Sequence, residues 1–219
     1  MRTLTDLPKK GDFDKETAQR LIHGYYAATS YLDHNVGKLI QALKEHGLYE
    51  NTIIIFASDH GYHLGENSHW TKATVRELDV QVPLLVRVPG SLGTVSDAMV
   101  EYVDIYPTLA ELVDIASPDG GDGKSFKHVL NHSNQEHRLT ALSQAARPWP
   151  SNKPVKKMGY SIRYDRYRYT RWVDVKTRKI IAEEVYLIEE DLLQRNNIIE
   201  QIDKEILNKL RKLLSNKLN

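Results

Sequence analysis

Ile53-Ile54-Ile55-Phe56-Ala57-Ser58-Asp59-His60-Gly61 sets a continuous apolar run, rich in β-branched residues, directly before an acid and an imidazole. Such a run suits a strand covered on both faces, as in a parallel sheet, and Asp59 then lies at its carboxyl end. Open α/β sheets assemble their ligand sites from loops at that end. The polar stretch continues through Tyr62-His63-Leu64-Gly65-Glu66 to Trp70-Thr71-Lys72. It offers hard oxygen and nitrogen donors for a divalent cation and a positive charge for an anion, but no nucleophile.

Upstream, Ala18, Leu21, Ile22, Tyr25, Leu32, Val36, Leu39, Ile40 and Leu43 recur at spacings of three and four. This predicts one long helix, with Asp14 as N-cap and Gly47 as its C′ stop. Downstream, Val82 to Val88 reads as a second strand with Pro83 at its beginning and Pro89-Gly90 as the closing turn. Asp104 to Ile115 reads as a helix with Pro107 in the first turn, where a missing N–H is tolerated. Helix, strand, loop, strand, helix is an α/β rhythm. Composition then shifts. Ser117 to Gly123 is a loop, and Arg147-Pro148-Trp149-Pro150 with Pro154 is a further break, so the expected division is a first domain 1–120 and a subdomain 121–219. In the latter, Gly159 to Tyr164 and Tyr167 to Val173 flank Asp165-Arg166 as a hairpin, and Ile198 to Leu218 has a helical period. A small antiparallel sheet carrying a terminal helix is expected.

At 219 residues and 41% apolar content, the chain can bury a substantial core. With 30 basic and 29 acidic residues, its net charge of +1 gives no bulk field for nucleic acid or an anionic membrane, so an anion has to be recognised locally. The absence of cysteine excludes disulfides, thiolate metal sites and a cysteine nucleophile. No apolar run approaches the ~20 residues of a spanning helix, and Met1 to Gly11 carries no apolar h-region.

Each candidate side chain has a plainer alternative. Asp59 can ligate a cation, or cap the next segment while Gly61 takes positive φ. His60 can ligate a metal or donate to a substrate, although Ca²⁺ and Mg²⁺ prefer oxygen and imidazole suits zinc-type ions. His63 and His69 lack His-x-x-x-His spacing and read as loop-surface histidines. Lys72 stabilises a bound anion if the loop folds back, and is otherwise an ordinary exposed lysine. In the Arg/Tyr hairpin, alternation sends Tyr160, Ile162 and Tyr164 to one face, where aromatics pack on a helix more readily than they stack on bases.

Thr52 to Gly61, Leu64-Gly65-Glu66, Trp70-Thr71-Lys72 and Val82-Pro83-Leu84-Leu85 to Pro89-Gly90 together resemble the second metal-binding block of the type I sulfatases. Tyr31-Leu32-Asp33 with Val36-Gly37, and Tyr102 to Leu109, fit the same family in the same order. Met158 to Arg163 with Tyr167 to Thr170 resembles its iduronate-2-sulfatase branch. The resemblance implies a partial alkaline-phosphatase-like α/β sheet, a bound Ca²⁺, and hydrolysis of sulfate esters, in this branch sugar sulfates such as sulfated uronates. It assigns Asp59 and His60 as metal ligands, Lys72 as the sulfate contact and Tyr62 as a substrate contact at the pocket wall. Many members have Asp-Asn where this chain has Asp59-His60, and Gly-Glu-His where it has Gly65-Glu66-Asn67.

Two further features of the family are not in this sequence. Type I sulfatases make a formylglycine nucleophile from Cys or Ser in a Cys/Ser-x-Pro-x-Arg motif and carry an early aspartate pair; neither occurs here. The expectation is a C-terminal portion that holds Ca²⁺ weakly and is inactive alone, with a separate N-terminal sulfatase half as partner and an apolar strand edge left open. The rivals are a non-enzymatic remnant, a sugar-binding module, and a half-subunit of a related phosphoester hydrolase. Relatives of this kind are commonly exported, which makes a periplasmic or secreted location the family's implication.

Overall fold

The computed structural model of the chain describes residues 13–117, 120–148 and 153–218. Trp149 and Pro150 of the expected proline break, and Pro118 and Asp119 of the expected loop, lie outside them. The chain divides into two compact units, one of residues up to Ala73 with Leu78–Leu92, the other of Thr74–Glu77 with the residues from Gly93 onward.

The first unit begins with helix α1, Lys15–Glu45. Asp14 caps it through Oδ1, which accepts from Thr17 N at 2.8 Å. Gly47 ends it at φ 67°, with Leu48 N to Leu43 O at 2.8 Å and Gly47 N to Lys44 O at 3.1 Å, a Schellman arrangement that only a residue at ease in the left-handed region allows. Strand β1, Ile54–Ala57, follows. A hairpin of two-residue strands comes next, β2 (His63–Leu64) against β3 (Trp70–Thr71). One helical turn, α2 (Glu77–Val80), leads to β4 (Leu84–Arg87).

β1 and β4 form a two-stranded antiparallel pair, with Ile54 opposite Arg87 and Ala57 opposite Leu84. The parallel pairing expected for Ile53 to Ala57 is therefore not made among the described residues. A parallel return needs a long crossover, usually a helix, and the intervening α2 has only four residues. Nor is β1 covered on both faces: Ile54 and Ile55 are half-buried, while Phe56 and Ala57 are exposed. Among the described residues of this unit, no apolar side chain is fully buried. The apolar side chains of α1, such as Leu32, Leu39 and Tyr31, are exposed, and a groove of about 510 Å³ runs between Val36, Leu39, Ile40 and Leu43 of α1 and Ile54 and Phe56 of β1.

The second unit holds the core. After helices α3 (Ile105–Leu112) and α4 (Lys127–Asn131), the strands β5 (Ala141–Arg147), β6 (Lys157–Tyr164), β7 (Tyr167–Asp174) and β8 (Ile180–Leu187) form an antiparallel sheet in that order. Tyr164 pairs with Tyr167 across Asp165-Arg166, with Asp165 at φ 50°, as the hairpin expectation requires. Ile162, Tyr169 and Val185 are buried against Leu210 and Leu214 of the terminal helix α5, Lys204–Leu218. That helix starts later than its period suggests, because Asp203 Oδ1 takes the N–H groups of Glu205 and Ile206 at 2.8 and 3.1 Å and fixes the start there.

Two buried charge networks brace this unit. Asp104, fully buried, accepts from Arg138, from the N–H of Lys124 at 2.8 Å and from that of Glu101 at 2.9 Å, and His137 Nε2 lies 3.1 Å from it. Glu77, also buried, takes Arg168 Nε on Oε2 at 2.5 Å and Arg163 on Oε1 at 3.3 Å, while its own N–H donates to Gln194 Oε1 at 2.6 Å.

Candidate functional site

The β2–β3 hairpin folds the loop back on itself, and this is what brings the candidate side chains together. His63 lies opposite Thr71 and Leu64 opposite Trp70, so Lys72 emerges beside the turn that follows β1. Lys72 Nζ stands 2.5 Å from His60 Nε2, and Asp59 Oδ2 stands 3.2 Å from the same nitrogen. Residues that are twelve positions apart in sequence thus share one point.

His60 is oriented by its other nitrogen. Nδ1 lies 2.8 Å from Gly61 O and donates to it, which leaves the Nε2 lone pair facing Lys72 and Asp59. An imidazole fixed through Nδ1–H on a carbonyl is the usual arrangement behind a metal-ligating Nε2. Two ligands at right angles on an ion with ~2.3–2.6 Å bonds lie roughly 3.3–3.7 Å apart, near the observed Asp59–His60 separation. The spacing of the pair suits two ligands of one cation, although Lys72 Nζ here stands on the Nε2 lone pair that such a cation would take. The pair does not complete a ligand set: among the described residues no group of three or more such ligands gathers, and calcium takes six to eight donors.

Gly61 does not adopt the positive φ that a capping role for Asp59 predicts. Its lack of a side chain serves a different end, since a Cβ there would meet Leu78 O at 1.7 Å, and Gly61 N donates to Asp79 O at 2.7 Å. Tyr62 turns toward α1, its ring 5.1 Å from that of Tyr25; burial first, then Tyr25, pushes its phenol above the ordinary value. His63 is not the surface histidine expected from its loop. Its side chain is 1% exposed, with Nε2 3.4 Å from Asp79 Oδ1, because strand pairing turns it inward to a carboxylate that is itself 2% exposed. The His69 ring lies 5.6 Å from it.

Lys72 is flanked by Thr71 at φ 75° and Ala73 at φ 78°, with Asn67 and Ser68 also at positive φ. A β-branched residue rarely adopts this region, and such strain, ~1–3 kcal/mol per residue, collects at functional sites. Ala73→Gly is expected to stabilise the protein by about 1 kcal/mol in urea unfolding, reversing the usual penalty of Ala→Gly in ordered backbone. A loss of stability would show that residue 73 is not strained.

A carboxylate, an imidazole and an ammonium converge past the end of a strand, a set whose chemistry suits an oxyanion at the ammonium and a cation at the other two. The chain matches the sulfatase family model over residues 5–115 and the C-terminal model of N-sulphoglucosamine sulphohydrolase over residues 65–219. It belongs to the sulfatase family, whose members are metal-dependent sulfuric ester hydrolases. Mouse iduronate 2-sulfatase is 31% identical over 250 residues, 86% of this chain and 45% of the relative, so the chain spans a little under half of that protein's length. A structure solved in complex with its substrate D-glucosamine-2-N,6-O-disulfate superposes with a TM-score of 0.80 at 27% identity, covering 91% of this chain and 40% of the other. The phosphonate monoester hydrolase of Silicibacter pomeroyi superposes at 0.77 with 25% identity, covering 97% and 42%. The fold is thus the alkaline-phosphatase-like fold of sulfatases, of which this chain forms a part.

Sequence reasoning missed the buried Asp79 behind the site, since its contact with His63 spans sixteen positions.

Proposed function

We propose that this chain forms one wall of a sulfate ester hydrolase pocket, acting on sugar sulfates of the kind that iduronate-2-sulfatase-like enzymes accept. Asp59 and His60 are two of the ligands of a divalent cation, Ca²⁺, which when bound neutralises charge on the substrate's oxygens. Lys72 binds the sulfate and stabilises the negative charge that builds on it, and Tyr62 lines the wall. The observation that carries this reading is the meeting of Asp59, His60 and Lys72 at one nitrogen.

The family's oxygen nucleophile is made from a motif that these 219 residues do not contain, so in this proposal another polypeptide segment supplies it. Among the described residues the groove between α1 and β1 is uncovered and one edge of β1 is unpaired, which supports the same idea, since an N-terminal sulfatase half would bury the one and pair with the other.

Co-expression with an N-terminal half from a related sulfatase tests it. A stoichiometric complex is expected, with aryl sulfate hydrolysis abolished by a chelator and restored by Ca²⁺ better than by Zn²⁺. Lys72→Ala should lower kcat/KM by about 10²–10³-fold. Absence of both complex and turnover would refute the reading, and preferential turnover of phosphonate monoesters would move the chain to the other hydrolase class its fold accommodates.

A further inference from the structure

We infer that Asp79, together with His63, is a positioning residue for the Asp59-His60 turn and the Lys72 hairpin; this rests on the cation role proposed above. Asp79 reaches both parts of the site. Its carbonyl holds Gly61 N at 2.7 Å, and the carbonyl of that glycine in turn receives His60 Nδ1 at 2.8 Å, so the orientation of the imidazole depends on where Asp79 lies. Its carboxylate faces His63 Nε2 at 3.4 Å, and His63 is paired across the hairpin with Thr71, the neighbour of Lys72. Both side chains are removed from water, where a charged or polar contact keeps its full directional strength and is hard to replace. The missing Cβ of Gly61 lets the turn close to van der Waals distance on Leu78 O, beside Asp79. One buried carboxylate and one carbonyl of the same residue therefore fix the cation ligands and the hairpin bearing the anion-binding ammonium.

The measurement uses the full chain with Mn²⁺ as paramagnetic probe and long-range ¹H–¹⁵N spectra of the histidine rings, all below the thermal midpoint of every variant. In the wild type, His60 is expected as the Nδ1–H tautomer, with Mn²⁺ broadening its ring signals. Asp79→Asn, which keeps size and carbonyl but removes the charge facing His63, should weaken that Mn²⁺ binding about tenfold or more and mix the His60 tautomers, as removing the groups that hold metal ligands in place does. His63→Gln, which keeps a polar group facing Asp79, should stay within about threefold of wild type, whereas His63→Leu should reproduce the Asp79→Asn loss. If Asp79→Asn does not fold, the two His63 variants carry the test by the same criterion. A lower midpoint with Mn²⁺ affinity and tautomer unchanged means that the pair is structural only, and overturns the inference. Asp59→Ala is the control on the underlying reading: it should abolish the broadening, and if it does not, the half-site assignment itself fails and the positioning role falls with it.

Discussion

Arg168→Ala lowers the unfolding free energy by about 3–5 kcal/mol, enough to consume a large share of an ordinary domain's stability. The reason is Glu77. It is buried, and Arg168 Nε supplies its closest charge partner at 2.5 Å; Arg163, at 3.3 Å, is more exposed and less well placed. Removing the guanidinium leaves a carboxylate out of water with half its compensation. Burial pulls the Arg168 pKa down and Glu77 pulls it back up, so the pair is a balance of desolvation against attraction in which neither partner is stable alone. The double variant Glu77→Ala/Arg168→Ala should therefore cost less than the sum of the two single changes, by more than about 1 kcal/mol. Urea unfolding of the four proteins measures this, and strict additivity would show that the two residues do not depend on each other.

Asp104→Asn is the second large change, expected to remove about 2–4 kcal/mol. Burial pushes the Asp104 carboxyl up, but hydrogen bonds from Arg138 and from the backbone N–H groups of Lys124 and Glu101 outweigh it and bring the pKa to about 2, from 3.8. Since the folded value lies below the unfolded one, the stabilisation is fully present above pH ~4 and disappears as pH falls through about 2. The pH-dependent part amounts to about 1–2 kcal/mol after allowance for solvent screening. Stability measured between pH 5 and pH 2 should fall less steeply for Asp104→Asn than for the wild type. Parallel curves would mean that Asp104 is not held in its charged form by these partners.

Much of the fold is legible residue by residue. Asp14 and Gly47 mark both ends of α1 because capping is local chemistry, settled within four residues. The Asp165-Arg166 hairpin is legible for the same reason, as is the inward face of Tyr160, Ile162 and Tyr164. The pairing of β1 was not, because direction and partner depend on a return path whose only helix is one turn long. His63 was misplaced because its burial comes from Asp79, sixteen positions on, and nothing local announces that contact.

The amino-acid sequence alone determined the family, the order of elements and the identities of Asp59, His60 and Lys72, since these rest on residue types at short spacings. Only the tertiary structure decided that these three meet at one imidazole nitrogen, that Asp79 stands behind them, and that the buried apolar core lies entirely in the second unit among the described residues. Those are outcomes of long-range packing, in which the position of a side chain follows from what its distant neighbours leave open to it.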